Sequence, residues 1–345
     1  MQDKTILYGV LNWGLGHATR SSVIIKALSQ MGYNVVLASD GDAYEWLKMQ
    51  FPTHEIYELP PYKIKYRSKN ALLNAALYLP YLLKAIRKEK QWVKEVLLSR
   101  DVVGVISDNR LNFHRSDVPT VYISHQLTIP LKRFSRIASF IHAKYINKFS
   151  EVWVPDDAAF NLSGAMSKNS FVKPHIKKIG WLSRFENPKE PFEKGELVAV
   201  ISGPEPARSL WAKQLFEAAE TQKIELTLAG VDLPDGEYAR SLPVPSTEVL
   251  KAVMEVADLV ISRSGYSSLM DYAALGVKAL VVPTPGQPEQ EYLCYRLEQE
   301  NWLLSVEQHK LDLKKHVEQA RSYKGLPKVK RDYSWQELFS LFEGK

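Results

Sequence analysis

Thr5-Ile-Leu-Tyr-Gly-Val-Leu11 is a short, β-rich apolar run that passes through Asn12-Trp13-Gly14-Leu15-Gly16 into His17-Ala-Thr-Arg20 and an amphipathic stretch ending near Leu28. Apolar strand, glycine turn and helix are written there in that order. Glycine lets the backbone turn sharply and approach a ligand, while the helix start offers unpaired N–H groups and a partial positive charge to an anion. A phosphate or a sugar suits such a place. The dinucleotide fingerprint requires G-x-G-x-x-G/A, and Thr19 stands where the third small residue belongs. Asp40, at the end of the next strand, suits a ribose-binding acid and keeps a nicotinamide enzyme open. A tight strand-to-helix turn with no ligand is the other reading.

Outward from this stretch the same alternation runs along the chain. Strands are expected near Thr5 to Leu11, Asn34 to Ser39, His54 to Leu59, Val102 to Ser107, Thr120 to Ser124 and Glu151 to Pro155. A second set follows near Leu197 to Ser202, Glu225 to Ala229, Leu259 to Ser262 and Ala279 to Pro283, with helices such as Pro206 to Thr221 and Ser264 to Leu275 between them. Strands alternating with helices make parallel sheets, so the fold class is α/β with two Rossmann-like domains. The first is placed at residues 1–180 and the second at 181–345, with a C-terminal helix in the second. The charged, proline-bearing stretch Glu186 to Gly195 is the expected hinge. Tyr333 to Phe342 sets Trp335, Leu338, Phe339, Leu341 and Phe342 at helical spacing, an amphipathic helix that packs on one of the domains.

The 345 residues are 45% hydrophobic and 24% charged, which excludes wholesale disorder and gives each domain enough chain for its own core. Cys294 is the single cysteine, so no internal disulfide and no multi-cysteine site can form, and a reducing, cytoplasmic compartment is expected. The N-terminus lacks a basic region followed by a long apolar core, which predicts no signal peptide. The longest apolar-leaning stretch, Ala71 to Ile86, is interrupted by Asn74, Pro80 and Lys84, so no segment reaches the roughly 20 apolar residues of a membrane span. A net charge of +6 favours anionic partners without choosing among them, and no nucleic-acid recognition motif is present. Leu127 to Phe149 mixes apolar residues with Lys132, Arg133, Arg136, Lys144 and Lys148 and reads as a basic amphipathic helix, able to lie on anionic lipid at the inner face of a membrane or to be an ordinary surface helix.

Three places carry chemistry. His17 stands in the first turn of a helix, where the dipole disfavours its protonated form and leaves a neutral imidazole for general base work; a cap or surface role is the plainer alternative. Ala257-Asp-Leu-Val-Ile-Ser262-Arg263-Ser264-Gly265-Tyr266-Ser267-Ser268-Leu-Met-Asp271 is a strand, a Ser/Gly turn and a helix start, again a phosphate cradle. Asp271 follows Ser267 and Ser268 by about one helical turn, so it can share their face and accept two hydrogen bonds from a ribose diol. Pro283-Thr-Pro-Gly286-Gln287-Pro-Glu289-Gln290-Glu291 then supplies amide and carboxylate groups suited to sugar hydroxyls. Open α/β sheets bind ligands at the carboxyl edge where these loops fall.

The block Ala257 to Glu291 resembles the C-terminal signature of family-28 glycosyltransferases, in particular the bacterial N-acetylglucosaminyltransferases that form lipid II. Gly14-Leu15-Gly16-His17 is similar to the family's N-terminal glycine-rich loop ending in histidine. Ile179-Gly180 to Arg184 resembles its Gly-Asn-Pro-Val-Arg segment, and Ser202-Gly203-Pro-Glu-Pro-Ala207-Arg208 its Gly-Gly-Ser-Gln-Gly-Ala-Arg loop. Predicted bacterial and archaeal glycosyltransferases share Gly-Leu-Gly-His-Ala and the strand ends Ile106-Ser107-Asp108 and Ser124-His125-Gln126. The resemblance implies a GT-B fold, two facing Rossmann-like domains with a UDP-sugar donor between them, no obligatory metal or other cofactor, and inversion at the sugar.

Carried over position by position, Asp271 would hold the uridine ribose, Ser264 to Ser268 the phosphates and nucleotide, Gln290 with Glu291 the sugar hydroxyls, Ser202 and Gly203 the diphosphate, and Arg184 the nucleotide. His17 is the expected base, with Asp108 and His125 as catalytic neighbours or, equally, turn residues at strand ends. The acceptor stays unnamed, with a lipid-linked or envelope glycan as the class the resemblance suggests. Two departures matter. Pro204 and Pro206 remove N–H donors from a loop that is glycine-rich in the family, and Glu291 replaces a glutamine and cannot donate to a hydroxyl. A nucleotide-sugar hydrolase shares the Gly-Leu-Gly-His loop, and a non-catalytic nucleotide-sugar-binding protein is the rival from another class.

Overall fold

A computed structural model describes residues 4–62, 71–97, 100–130, 134–185, 195–328 and 334–343. The chain divides into two compact units, Met1–Arg184 with Lys330–Lys345, and Phe185–Val329. The expected hinge, apart from Gly195, lies outside the described residues.

The first unit holds β1 (Thr5–Val10), α1 (Gly16–Gln30), β2 (Asn34–Ser39), α2 (Gly41–Gln50), β3 (Ile56–Glu58), α3 (Ala71–Leu97), β4 (Val102–Asp108), β5 (Thr120–Ile123), α4 (Ser135–Ile146), β6 (Glu151–Val154) and β7 (His175–Lys178). All seven strands are parallel, in the order β3-β2-β1-β4-β5-β6-β7. β1 is buried along its whole length, as a continuous apolar run must be when helices cover both faces of a parallel sheet. The strand order reverses between β1 and β4, which opens a crevice outside their carboxyl ends.

The second unit repeats the plan with β8 (Glu196–Val200), α5 (Ala207–Gln222), β9 (Leu226–Ala229), β10 (Ala239–Leu242), α6 (Thr247–Glu255), β11 (Ala257–Ser262), α7 (Tyr266–Leu275), β12 (Lys278–Val281), α8 (Pro288–Gln299), β13 (Leu304–Ser305) and α9 (Leu313–Arg321). Its six strands are again all parallel, in the order β10-β9-β8-β11-β12-β13. The reversal falls between β8 and β11, and their carboxyl ends carry Ser202 to Arg208 and Arg263 to Ser268. A core around Trp211, Leu215, Leu228, Ile261 and Leu280 binds the sheet to α5 and α9. Among the described residues no helix is long and apolar enough to cross a membrane.

Two expectations change. β7, β10 and β13 are edge strands that the apolar pattern does not announce, because they are short and carry exposed or half-exposed polar residues such as His175, Lys177 and Arg240. The C-terminal helix, expected with the second domain, belongs to the first unit. There α10 (Trp335–Phe339) opens with a reciprocal cap, in which Ser334 Oγ accepts from the Glu337 amide and Glu337 Oε2 from the Ser334 amide, both at 3.1 Å. Phe339 and Phe342 pack on Trp153 at ring centroid distances of 6.2 and 6.1 Å, and Phe339 also meets Tyr33. Gly104 in β4 makes room for this: a β-carbon there would stand 2.2 Å from Phe342 Cδ1. Helical spacing announces an apolar face but not which core it meets. Tyr333 lies outside the described residues.

Candidate functional site

In the first unit, β1 leads into its loop with the Leu11 amide donating to the Asp108 carbonyl at 3.0 Å. Gly14 turns the chain at a φ of +73°, with open space where a β-carbon would lie, so conformation rather than room selects glycine. α1 then starts at Gly16 with no side-chain cap and no acid in its first turn. Spacings of three and four residues put His17, Arg20 and Ser21 on one face of α1, turned to the carboxyl end of β4.

That face surrounds Asp108, which is fully buried. Arg20 Nε donates to Asp108 Oδ2 at 2.8 Å and its Nη2 to Oδ1, while Ser21 Oγ donates to Oδ2 at 2.9 Å. His17 Nδ1 lies 2.7 Å from Oδ1, and His125, from the end of β5, lies with Nδ1 3.0 Å from Arg20 Nη1. A two-pronged guanidinium–carboxylate pair with added hydrogen bonds is what a buried charge requires. Burial pushes the Asp108 carboxyl up, but the Arg20 charge and His17 outweigh it and hold the group ionised, well below the usual carboxylate range. Burial and then the Arg20 charge push the His17 ring below its ordinary value against the pull of Asp108, so the ring is neutral at pH 7. An ionised carboxylate accepts only, so Nδ1 carries the proton and Nε2 keeps its lone pair. His17 is 13% exposed.

A second buried network lies close by. Arg110 Nη1 donates to Asp40 Oδ1 at 2.6 Å, its Nε to Glu89 Oε2 of α3 at 2.7 Å, and its guanidinium covers the Tyr62 ring at 4.8 Å. Asp40 is buried and spent on Arg110, so the ribose acid that a nicotinamide enzyme would need is already engaged.

In the second unit, α7 begins at the N-cap Gly265 with neither a side-chain cap nor an acid in its first turn. Asp271 is buried one turn further on, Tyr266 is buried, and Ser267 and Ser268 are half-exposed. Ser264 is buried and donates from Oγ to the Gln290 carbonyl at 3.2 Å, tying this turn to α8. Gln290 Oε1 accepts from the Thr284 amide at 2.8 Å, Gln290 Nε2 donates to Gln287 Oε1 at 2.7 Å, and Glu291 Oε1 accepts from the Gly286 amide at 3.2 Å. These side chains, expected to face a sugar, here brace their own loop.

Arg263, which the sequence places among the donor-binding residues, turns inward. Its Nη1 donates to the Val282 and Pro283 carbonyls at 3.1 and 3.3 Å, its Nη2 to Gln308 Oε1 at 2.9 Å, and the guanidinium covers the Trp211 ring at 4.4 Å. Burial pulls its pKa down to about 10. It holds the β11 and β12 ends together from within. Ser202 and Gly203 are exposed at the end of β8, but Glu205 occupies the start of α5, accepting from Arg208 Nε at 2.8 Å and from the amide and hydroxyl of Ser209 at 3.2 and 2.8 Å. Arg184 is half-buried at the last position of the first unit's main segment.

Residues 240–328 match the model of the glycosyltransferase family 28 C-terminal domain, and residues 4–137 match that of glycosyl transferase family 1. Both halves of the chain thus match glycosyltransferase family models, and the fold is GT-B. Solved glycosyltransferases share its fold at low identity. A kitacinnamycin glycosyltransferase is 15% identical over 94% of this chain and 92% of its own, with a TM-score of 0.63. For the calicheamicin glycosyltransferase CalG4 the values are 14%, 94%, 91% and 0.64, and for MurG of Acinetobacter baumannii 15%, 92%, 91% and 0.55. No protein with a curated function matches the sequence.

In this glycosyltransferase the structure brings His17, Asp108 and His125 into one cluster at the first switch point, and Ser264 to Ser268 with Asp271 onto one strand-to-helix turn at the second. Arg20 and Ser21, which assemble the first cluster, were not anticipated. Their spacing from His17 was the available signal. Among the described residues no group of three or more His, Cys, Asp or Glu side chains is placed to hold a metal ion.

Proposed function

We propose that this glycosyltransferase moves a sugar from a UDP-sugar of the N-acetylhexosamine type to a hydroxyl of a lipid-linked or envelope glycan acceptor, with inversion and without a metal. The observation that carries the reading is the His17–Asp108 pair: a neutral imidazole whose Nδ1 is held by a buried carboxylate, with Nε2 left to receive the acceptor's proton. As the acceptor oxygen bonds to the anomeric carbon, the bond from that carbon to the diphosphate breaks on the opposite face. The electron pair leaves on the diphosphate, and the acceptor's proton passes to Nε2. General base catalysis of this kind contributes roughly 10²–10⁴-fold.

The uncapped start of α7, with Ser264, Gly265, Tyr266, Ser267 and Ser268, supplies the positive end and the donors for the departing diphosphate. Asp271 takes the ribose. Gln287, Gln290 and Glu291 shape the loop that meets the sugar, and Ser202, Gly203 and Arg184 complete the donor contacts. The first unit serves the acceptor and the second the donor. A lipid-borne acceptor agrees with α4, where Phe134 at its N-cap, Ile137, Phe140 and Ile141 are between 45% and 59% exposed while Ser139, Ala143 and Ile146 are buried. The apolar side faces outward. Lys144 lies over the Phe140 ring at 4.8 Å and Lys148 over Tyr145, so cations edge this apolar face as an anionic lipid surface requires. Lys132 and Arg133 lie outside the described residues. The protein would thus work at the inner, cytoplasmic face of a membrane.

Thermal unfolding with UDP, UDP-N-acetylglucosamine, UDP-glucose, a dTDP-sugar and NAD, on wild type and Asp271→Ala, tests the donor half. At ligand 100-fold above Kd, linkage adds about 2.7 kcal/mol, a shift of several degrees. A UDP compound that stabilises wild type but not Asp271→Ala supports the reading. Stabilisation by NAD alone, or by nothing, overturns it, and rapid multiple turnover of donor in water alone would make the enzyme a hydrolase.

A further inference from the structure

We propose that Arg20 is the positioning residue of the first-unit cluster, fixing His125 directly with its proton on Nε2 while holding the Asp108 carboxylate that fixes His17 with its proton on Nδ1; this builds on the reading of His17 as the proton acceptor. Arginine has five N–H donors and no acceptor, so any atom bonded to it must offer a lone pair. Arg20 Nη1 lies 3.0 Å from His125 Nδ1, which makes Nδ1 the acceptor and leaves the proton of the neutral ring on Nε2. The other edge of the same guanidinium, Nε and Nη2, holds both oxygens of Asp108. His17 Nδ1 reaches Oδ1 at 2.7 Å and must donate to it. Its 2.9 Å spacing from Arg20 Nη2 follows from two donors converging on one oxygen. Tautomers are thus assigned by the hydrogen-bond network, and here one residue is common to both assignments.

The consequence is a division of labour. His17 presents a lone pair at Nε2 and can take a proton, whereas His125 presents an N–H at Nε2 and can only donate a hydrogen bond while neutral. His125 is therefore not a second base. The planar fork of Arg20 can bridge a carboxylate on one edge and an imidazole on its far nitrogen, which the single-point ammonium of lysine cannot do. Ser21 donates to Asp108 at 2.9 Å, and burial pushes the phenols of Tyr8 on β1 and Tyr122 on β5 up, so both stay neutral.

Long-range ¹H–¹⁵N correlation spectra of the full-length protein labelled with ¹⁵N-histidine read both tautomers directly, with His17→Gln and His125→Gln assigning the signals. Wild type is expected to show His17 protonated at Nδ1 and His125 at Nε2. Arg20→Lys keeps a charge beside Asp108 but loses the bridge, so His125 becomes a tautomer mixture while His17 retains its proton on Nδ1 and its titration midpoint. Arg20→Gln also removes the charge, and the His17 midpoint rises. A wild-type spectrum with either histidine in the other tautomer, or an unchanged His125 signal in Arg20→Lys, overturns the proposal. If Arg20→Gln does not fold, the wild-type and Arg20→Lys spectra decide it. If the tautomers are as stated yet His17→Gln transfers sugar at the wild-type rate, the role of Arg20 stands and the reading of His17 as base fails.

Discussion

Replacing Asp108 with asparagine keeps the shape of the side chain and deletes its charge. In the fold that charge is fully buried and takes two hydrogen bonds from Arg20, one from Ser21 and one from His17. Arg20, itself almost completely buried, would be left without its counter-ion. Removing one partner of such a pair costs about 3–5 kcal/mol. At about 2–4 °C per kcal/mol for a domain of 150–250 residues, the melting transition of the first unit should fall by about 6–20 °C. His17→Gln should cost no more than about 1 kcal/mol, since Arg20 and Asp108 stay paired and only one hydrogen bond is altered. The acid limit sharpens the test. The Asp108 carboxyl is held below its ordinary value of about 3.9, so its stabilisation is present above that pH and is lost as the pH falls toward the folded value. The gap between wild type and Asp108→Asn must therefore narrow below about pH 4. Circular-dichroism melts across pH measure it. A variant within about 1 kcal/mol of wild type at neutral pH, or a gap that does not narrow in acid, would refute the buried, fully paired carboxylate.

His17→Gln should reduce transfer by about 10²–10⁴-fold while leaving nucleotide affinity unchanged. Because burial and Arg20 lower the His17 pKa, the wild-type rate should hold as the pH drops through the ordinary histidine value of about 6.5 and fail only below it, and an acid limb at or above that value would contradict the structure. Gly104→Ala should lift the C-terminal segment off the first unit, seen as faster proteolytic clipping after residue 328, because its β-carbon would meet the Phe342 ring; Phe342→Ala should cost about 3–5 kcal/mol for the same lost contact. Ile137→Glu with Ile141→Glu should abolish co-sedimentation with phosphatidylglycerol vesicles without moving the melting temperature, since both side chains face solvent.

The sequence announced most of the fold because both sheets are parallel and covered on both faces, so their central strands are unbroken apolar runs such as Ile6 to Val10 and Leu259 to Ile261. Where a strand has neighbours on one side only, that signature fades, as in β7 with its exposed His175 and Lys178. The site was legible where backbone conformation demands particular residues, at Gly14 and at the turn before α7. It was less legible where a charge is buried. Arg20 looks like any helical arginine, and nothing in its neighbours says that its fork ends on Asp108 and His125 from strands about ninety and a hundred residues away. Arg263 shows the reverse: a cation beside a phosphate-type turn reads as a ligand contact, yet it is drawn inward by two carbonyls and the Trp211 face.

The two switch points share a topology and differ in the charges they place there. In the first unit every charge near the crevice has a fixed counter-charge, Arg20 with Asp108 and Arg110 with Asp40 and Glu89, and what remains is a neutral imidazole nitrogen with a lone pair. That is equipment for moving a proton. In the second unit α7 starts with neither a side-chain cap nor an acid in its first turn, beside serines and Asp271, while the neighbouring start of α5 is already filled by Glu205. That is equipment for one anion at one helix. The proposed reaction calls for both kinds of chemistry, a base for the acceptor hydroxyl and a positive helix end for the departing diphosphate, and an acid in the first turn of α7 would oppose the second.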